Sequence, residues 1–178
     1  MNDSLMIDLE TFGNGNDAAI IAIGACMFDP HGTEIGDTFY KVVDLEISSH
    51  PGDIDSSTVM WWLKQNSAAR AALTDPQRTE PLGRALTLFA EFAELHKAKT
   101  IWSNGPTFDE VILNSAYRRY GMKPPIPFRG SRCMRTVRSL PGAPRLFMSN
   151  DEVAHNALDD AIHQAKHVQL IYKELFLS

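Results

Sequence analysis

Residues 5–13 read LMIDLETFG, an apolar run that carries two carboxylates two positions apart. In an extended strand successive side chains alternate between faces, so Asp8 and Glu10 project from the same side, within reach of one ion. Two negative charges gathered on an otherwise apolar strand oppose folding unless something cationic compensates them.

The strands around this one follow from the same periodicity. SLMIDLE, AAIIAIGACMFD and EIGDTFYKVVDL read as three strands, the second apolar enough to be central and the third separated from it by Pro30, His31 and Gly32. Their short connections predict an antiparallel meander. From residue 55 the period changes to helical: DSSTVMWWLKQNSAARAAL, then PLGRALTLFAEFAELHK with Leu82, Leu86, Phe89 and either Phe92 or Ala93 on one side. A strand TIWS, a turn NGP and a helix TFDEVILNSAYRRY ending at Gly121 come next. The Pro-rich KPPIPF leads to a short strand around RCMRTV, and the chain closes with the helix NALDDAIHQAKHVQLIYKELF. This order predicts an α/β fold with a mixed five-stranded sheet flanked by helices.

With 178 residues and no linker-like tract, residues 1–178 read as a single domain. No apolar stretch approaches the ~18 residues of a membrane span. The start MNDSLM lacks the pattern of a secretory leader, and Cys26 and Cys133 read as reduced thiols, which together predict a cytoplasmic protein. The net charge of -5 conceals a segregation. From Val111 to Asn150 there is no Asp or Glu, while Arg118, Arg119, Lys123, Arg129, Arg132, Arg135, Arg138 and Arg145 supply eight of the 17 basic residues. That segment reads either as a solvated face or as a basic surface for phosphates beside an acidic pocket.

Two further carboxylate clusters lie downstream. In NGPTFDEVIL, Thr107 and Glu110 fit the spacing of a capping box and Asp109 suits the positive end of a helix, so a structural role accounts for this cluster taken alone. In AHNALDDA two arrangements compete. One continuous helix would align His155, Asp159, His163 and His167 at four-residue steps as a zinc-binding stripe. Alternatively Asn156 caps the helix, leaving His155 in the loop before it and Asp160 in its first turn, where a five-residue separation lets the two converge.

DLET, NGPTFD and HNALDDA, taken in this order, resemble the three motifs of the DEDDh 3′-to-5′ exonucleases of the ribonuclease-H-like superfamily. The similarity is to phage and prophage exodeoxyribonuclease-VIII-like proteins and to the ribonuclease AS exoribonucleases. It extends through IIAIGACMFDP, TVMWWLKQ, NSAYRRYGM and HQAKHV, and so over nearly the whole chain. One departure is Cys133, where many relatives carry an Asp.

The resemblance implies a ribonuclease-H-like fold and a set of roles. Asp8, Glu10, Asp109 and Asp160 would hold two divalent cations, Mg2+ or Mn2+, whose hard character matches oxygen ligands. Those ions would answer the charge problem posed by Asp8 and Glu10. His155 would act as general base on the attacking water, and 5′ mononucleotides would leave. Thr11 and Phe12 would contact the terminal nucleotide. Trp62 shares a side with Val59 and Leu63 and reads as core, whereas Trp61 lies near Thr58 and Gln65 and is placed to stack on a base. Arg129, Arg132 and Arg135 are the candidates for guiding the strand. The expected partners are single-stranded DNA or RNA 3′ ends, with no membrane. The phage resemblance tilts the choice to DNA, and the family resemblance leaves room for a homodimer. A non-catalytic nucleic-acid-binding module and a metal-dependent phosphatase are the competing classes.

Overall fold

The computed structural model describes residues 3–149 and 153–176. Strand β1 (Ser4–Thr11) pairs antiparallel with β2 (Ile20–Phe28), which pairs antiparallel with β3 (Ile35–Asp44). The expected meander is therefore present. On the other side of β1, β5 (Thr100–Ser103) runs parallel to it and β6 (Ser131–Cys133) runs parallel to β5. Strand β4 (Thr79–Pro81) adds parallel to β3, giving the order β4-β3-β2-β1-β5-β6.

The sheet thus has six strands where the sequence predicts five. Three residues ending in proline carry no readable period, and backbone pairing alone makes the extra strand, as when the Val42 N–H donates to the Arg78 carbonyl. Proline is tolerated there because the strand is an edge.

Helices fill both faces. The helical stretch from residue 55 is broken into α1 (Ser56–Trp62) and α2 (Ser67–Ala72). Asn66 makes the break: its side chain accepts the Ala69 N–H at 2.8 Å, while Asp55 caps α1 through the Ser57 N–H at 2.7 Å. Helices α3 (Leu82–Leu95) and α4 (Asp109–Arg119) follow, then α5 (Met134–Arg138), which takes over all but the first two residues of the RCMRTV segment, and α6 (Ala157–Phe176). None of the helices among the described residues is long and apolar enough to cross a membrane.

The two-residue period of β1 sorts its side chains into two cores. Leu5, Ile7 and Leu9 join Ile23, Ala25 and Met27 of β2 under α3 and α4, around Leu86, Phe89 and Tyr117. Met6 joins Cys26, Phe28 and Trp102 on the opposite face, under Met134 of α5 and Ala161, Ala165 and Val168 of α6. Asp8 and Glu10 keep step with Met6 and so face α6.

Gly24 lies opposite Asp8 in the β1–β2 register. A Cβ at Gly24 would collide with the carbonyl carbon and oxygen of Ala157 and with the backbone N of Leu158. Glycine in this strand interior therefore lets the first turn of α6 rest directly on the sheet beside Asp8. Gly24→Ala is expected to lower the unfolding free energy by ~1–3 kcal/mol through overpacking, measured by chemical denaturation. An unchanged midpoint would mean that α6 lifts off without penalty.

Candidate active site

The end of β1 and the start of α6 form one acidic cluster. Asp8, Glu10 and Asp160 each offer a carboxylate oxygen, all within 4.8 Å of one another. Asp160 reaches the cluster because Asn156 caps α6, its Oδ1 accepting the N–H groups of Leu158 at 3.0 Å and Asp159 at 3.3 Å. Of the two arrangements open to AHNALDDA, the capped one is present.

His155 consequently precedes the helix, in a left-handed conformation with φ of 66°. Its N–H donates to Asp160 Oδ2 at 2.9 Å, and its ring meets Trp61 edge-on with centroids 4.8 Å apart. Asp159 turns away and accepts the Val153 N–H at 3.0 Å. His167, at the far end of the alternative stripe, is buried with Nε2 at 2.9 Å from the Pro144 carbonyl.

Asp109, from α4, stands outside this group of three but close enough for its charge to act on Asp8 and Glu10. Strand β5 pairs with β1 only as far as Met6, and beyond it Asp109 Oδ1 accepts the Leu9 N–H at 3.2 Å. The capping box read into this segment is absent. The N-cap of α4 is Phe108, which makes no side-chain capping bond, and Glu110 reaches sideways to accept the Ser131 hydroxyl at 2.9 Å.

Burial shifts each of these carboxyls above its ordinary range. Burial, reinforced by Asp109, Glu10 and Asp160, raises Asp8 well above the ordinary carboxylate range, against a hydrogen bond from Gln164. Burial, then Asp160 and Asp109, pushes Glu10 up to about 8. Asp109 is raised by burial to about 6, held down by the N–H groups of Leu9, Asp109 and Gly105 and by Arg135. Asp160 is raised by burial and opposed by His155. Glu110, outside the cluster, is also raised by burial, to about 7. A cation among these groups would reverse the effect, and a set made of carboxylate oxygens suits hard divalent ions of the Mg2+ and Mn2+ type.

The expected substrate contacts divide. Thr11 and Trp61 line a cavity of ≈ 440 Å³ together with Glu10, Asn14 and Phe108. Trp61 is 42% exposed, whereas Trp62 is buried and its Nε1 donates to the Thr11 carbonyl at 2.9 Å. Phe12 points elsewhere, packing with Ile21, Trp62 and Ala69 and lining a separate apolar cavity of ≈ 480 Å³. Arg135 acts on Asp109 and lies beside Gly105. Arg132 Nη1 donates to the carbonyls of Arg129 at 3.0 Å and Ser131 at 2.8 Å, and the Arg129 guanidinium lies 5.8 Å from the Phe128 ring centroid. Arg132 lies on β6 and Arg129 in the turn before it, whereas Arg135 lies on α5.

Gln164 belongs to the cluster although it lies outside the three carboxylate motifs, within the HQAKHV stretch. Its Nε2 donates to Asp8 Oδ1 at 2.7 Å. The readable signal was its position four residues after Asp160, on the same helix face.

Residues 3–172 match the family described as the Rv2179c-like 3′-5′ exoribonuclease domain. The exodeoxyribonuclease of Enterobacteria phage T4 is 28% identical over 120 residues, a match that covers 61% of this chain and 52%, about half, of that relative. The nuclease domain of 3′hExo, a DEDDh family member solved with rAMP, superposes with a TM-score of 0.66 at 18% identity over 97% of this chain and 92% of its own. E. coli Exonuclease I in complex with a dA16 oligonucleotide gives 0.65 at 15% identity, over 97% of this chain and 41% of its own. The chain thus shares its fold with these exonucleases, and it belongs to the Rv2179c-like family of 3′-5′ exoribonuclease domains.

Proposed function

We propose that this chain uses two divalent cations to hydrolyse single-stranded nucleic acid from its 3′ end, releasing 5′ mononucleotides, with RNA as the first polymer. The observation that carries this reading is the convergence of carboxylates from three separated segments on one small volume, with His155 tied to one of them. RNA takes precedence because the family match spans most of the chain. DNA is the second reading, favoured by the T4 relative.

Asp8, Glu10, Asp109 and Asp160 would hold the cations. When bound, such ions lower the pKa of water and stabilise negative charge on the leaving oxygen. The residues of the chain do the rest. The imidazole of His155 accepts a proton from the attacking water, whose oxygen forms a new bond to phosphorus as the bond to the 3′ oxygen breaks. The bond from the His155 backbone N–H to Asp160 fixes the residue's main chain, and the Trp61 ring holds the imidazole. Trp61 offers a flat surface to the terminal base, Thr11 lines the same cavity, and Arg135 supplies positive charge for a phosphate. Arg129 and Arg132 would meet the strand further from its end, and Phe12 would support the terminal-nucleotide cavity from behind through Trp62. The chain would act as one domain, in a reducing cytoplasm that suits its free thiols at Cys26 and Cys133.

Matched RNA and DNA oligonucleotides labelled at the 5′ end test the reading. A ladder shortening from the 3′ end, faster on RNA, is expected, and Asp8→Asn should abolish it. Shortening by an Asp8→Asn protein at the wild-type rate would refute the ligand assignment. His155→Ala should slow release ~10²-fold or more, as for loss of a general base, while calorimetry still registers cation binding. Loss of a cation in that variant would instead make His155 a ligand.

The raised carboxyls also fix a pH dependence. Their folded pKa values lie above the unfolded ones, so the folded state keeps protons that the unfolded chain has released. Stability of the cation-free protein therefore falls as pH rises from the ordinary carboxylate range, about 4, towards the Glu10 value of about 8. Chelator-treated protein is expected to melt at a lower temperature at pH 8 than at pH 5.5. Mg2+ or Mn2+ should raise the midpoint more at pH 8, and an equal effect at both values would contradict the assignment.

A further inference from the structure

The acid-free segment ends at a third cavity, away from the carboxylates. It measures ≈ 500 Å³ and is lined by Arg138, Ala143, Arg145, Leu146, Phe147 and His167. That volume falls within the range of small-ligand sites, roughly 300–1,000 Å³. Arg138 and Arg145 are both exposed, and among the described residues neither pairs with a carboxylate. Phe147 is 79% exposed, although an aromatic ring gains by burial. His167 forms the floor, held by the Pro144 carbonyl.

Two helices connect this cavity to the carboxylate cluster. His167 follows Asp160 by seven residues on α6, which places it ~10 Å along the axis and within about 20° of the same face. Between them His163 acts on Asp160 and its ring lies 6.3 Å from that of His167. On α5, Arg138 follows Arg135 by three residues and so shares its side. Arg135 acts on Asp109 and Arg138 acts on His167. Both helices therefore lead from the acidic cluster to the basic cavity.

Guanidinium groups take phosphate oxygens and an exposed aromatic ring takes a base. A separation of ~10 Å corresponds to roughly three stacked nucleotides at ~3.4 Å each. We propose that this cavity seats a nucleotide of the substrate strand about three positions in from the 3′ end, its phosphate between Arg138 and Arg145 and its base against Phe147. The proposal rests on the exonuclease reading and adds to it the length of strand that the enzyme holds.

The test is binding of fluorescent oligonucleotides of two and eight nucleotides, with a non-hydrolysable linkage at the 3′ end, followed by anisotropy in Mg2+. Arg138→Gln/Arg145→Gln should weaken the octamer roughly tenfold and make its log-affinity slope against log salt shallower by ~0.7. Phe147→Ala, at an exposed position, should weaken the octamer about fivefold without changing that slope. The dinucleotide should shift less than twofold in both variants. Equal losses on the two lengths, or no loss on the octamer, would overturn the proposal. Binding of a free 5′ mononucleotide that competes with the octamer and disappears in the double variant would also overturn it, making the cavity a product site. A wild type that releases no nucleotide would defeat the exonuclease reading, while the length dependence of binding would still decide the cavity.

Discussion

The backbone of α6 touches the sheet at Gly24, and the acidic cluster depends on that contact. Helices ordinarily stand off a sheet by the thickness of side chains, but here the carbonyl of Ala157 occupies the space a Cβ would need. Gly24 is the register partner of Asp8, so the first turn of α6 descends where β1 carries its carboxylates. A side chain of ordinary length on Asp160 then reaches Asp8 and Glu10. The same descent places Gln164, one turn later, at 2.7 Å from Asp8. A larger standoff would separate the carboxylates without disturbing any motif in the sequence.

Close packing brings its own opposition. Four acidic side chains share the space, and what holds them there is apolar: Leu5, Ile7 and Leu9 on one face of β1, and Met6 with the alanines of α6 on the other. Dipoles help locally, from Gln164 to Asp8 and from the Leu9 and His155 N–H groups to Asp109 and Asp160. They do not neutralise the charge, and they act on the other three carboxyls, while burial pushes Glu10 up to about 8. The fold thus maintains a site whose lowest-energy forms are protonated or cation-bound.

Much of this was legible because it depends on short-range periodicity. Alternation along β1 placed Asp8 and Glu10 on one face, and the five-residue gap from His155 to Asp160 made sense once Asn156 was taken as a cap. Trp61 and Trp62 separated correctly into exposed and buried by helical spacing. The remainder depended on what lies across space. Glu110 fitted a capping box by spacing, yet Ser131 from a distant strand bonds to it. Phe12 follows Thr11, but the register shift at Glu10 and Thr11 ends the regular alternation, and Phe12 joins Ile21 and Ala69. Strand β4 exists only as a partner for β3, and Gly24 carried the weak signal of any glycine inside a strand.

His155 links the backbone of the loop to the chemistry of the cluster. A non-glycine residue in the left-handed region costs roughly 1–3 kcal/mol and persists only where its surroundings over-determine it. Two contacts do so: its N–H is fixed by Asp160 and its ring by Trp61. Asp160 therefore serves twice, as a member of the acidic cluster and as the anchor of the His155 backbone beside it. Trp61 likewise both buttresses the imidazole and lines the cavity beside Glu10 and Thr11. The imidazole, the Asp160 carboxylate and the wall of that cavity share one set of contacts, so displacement of any of the three moves the others.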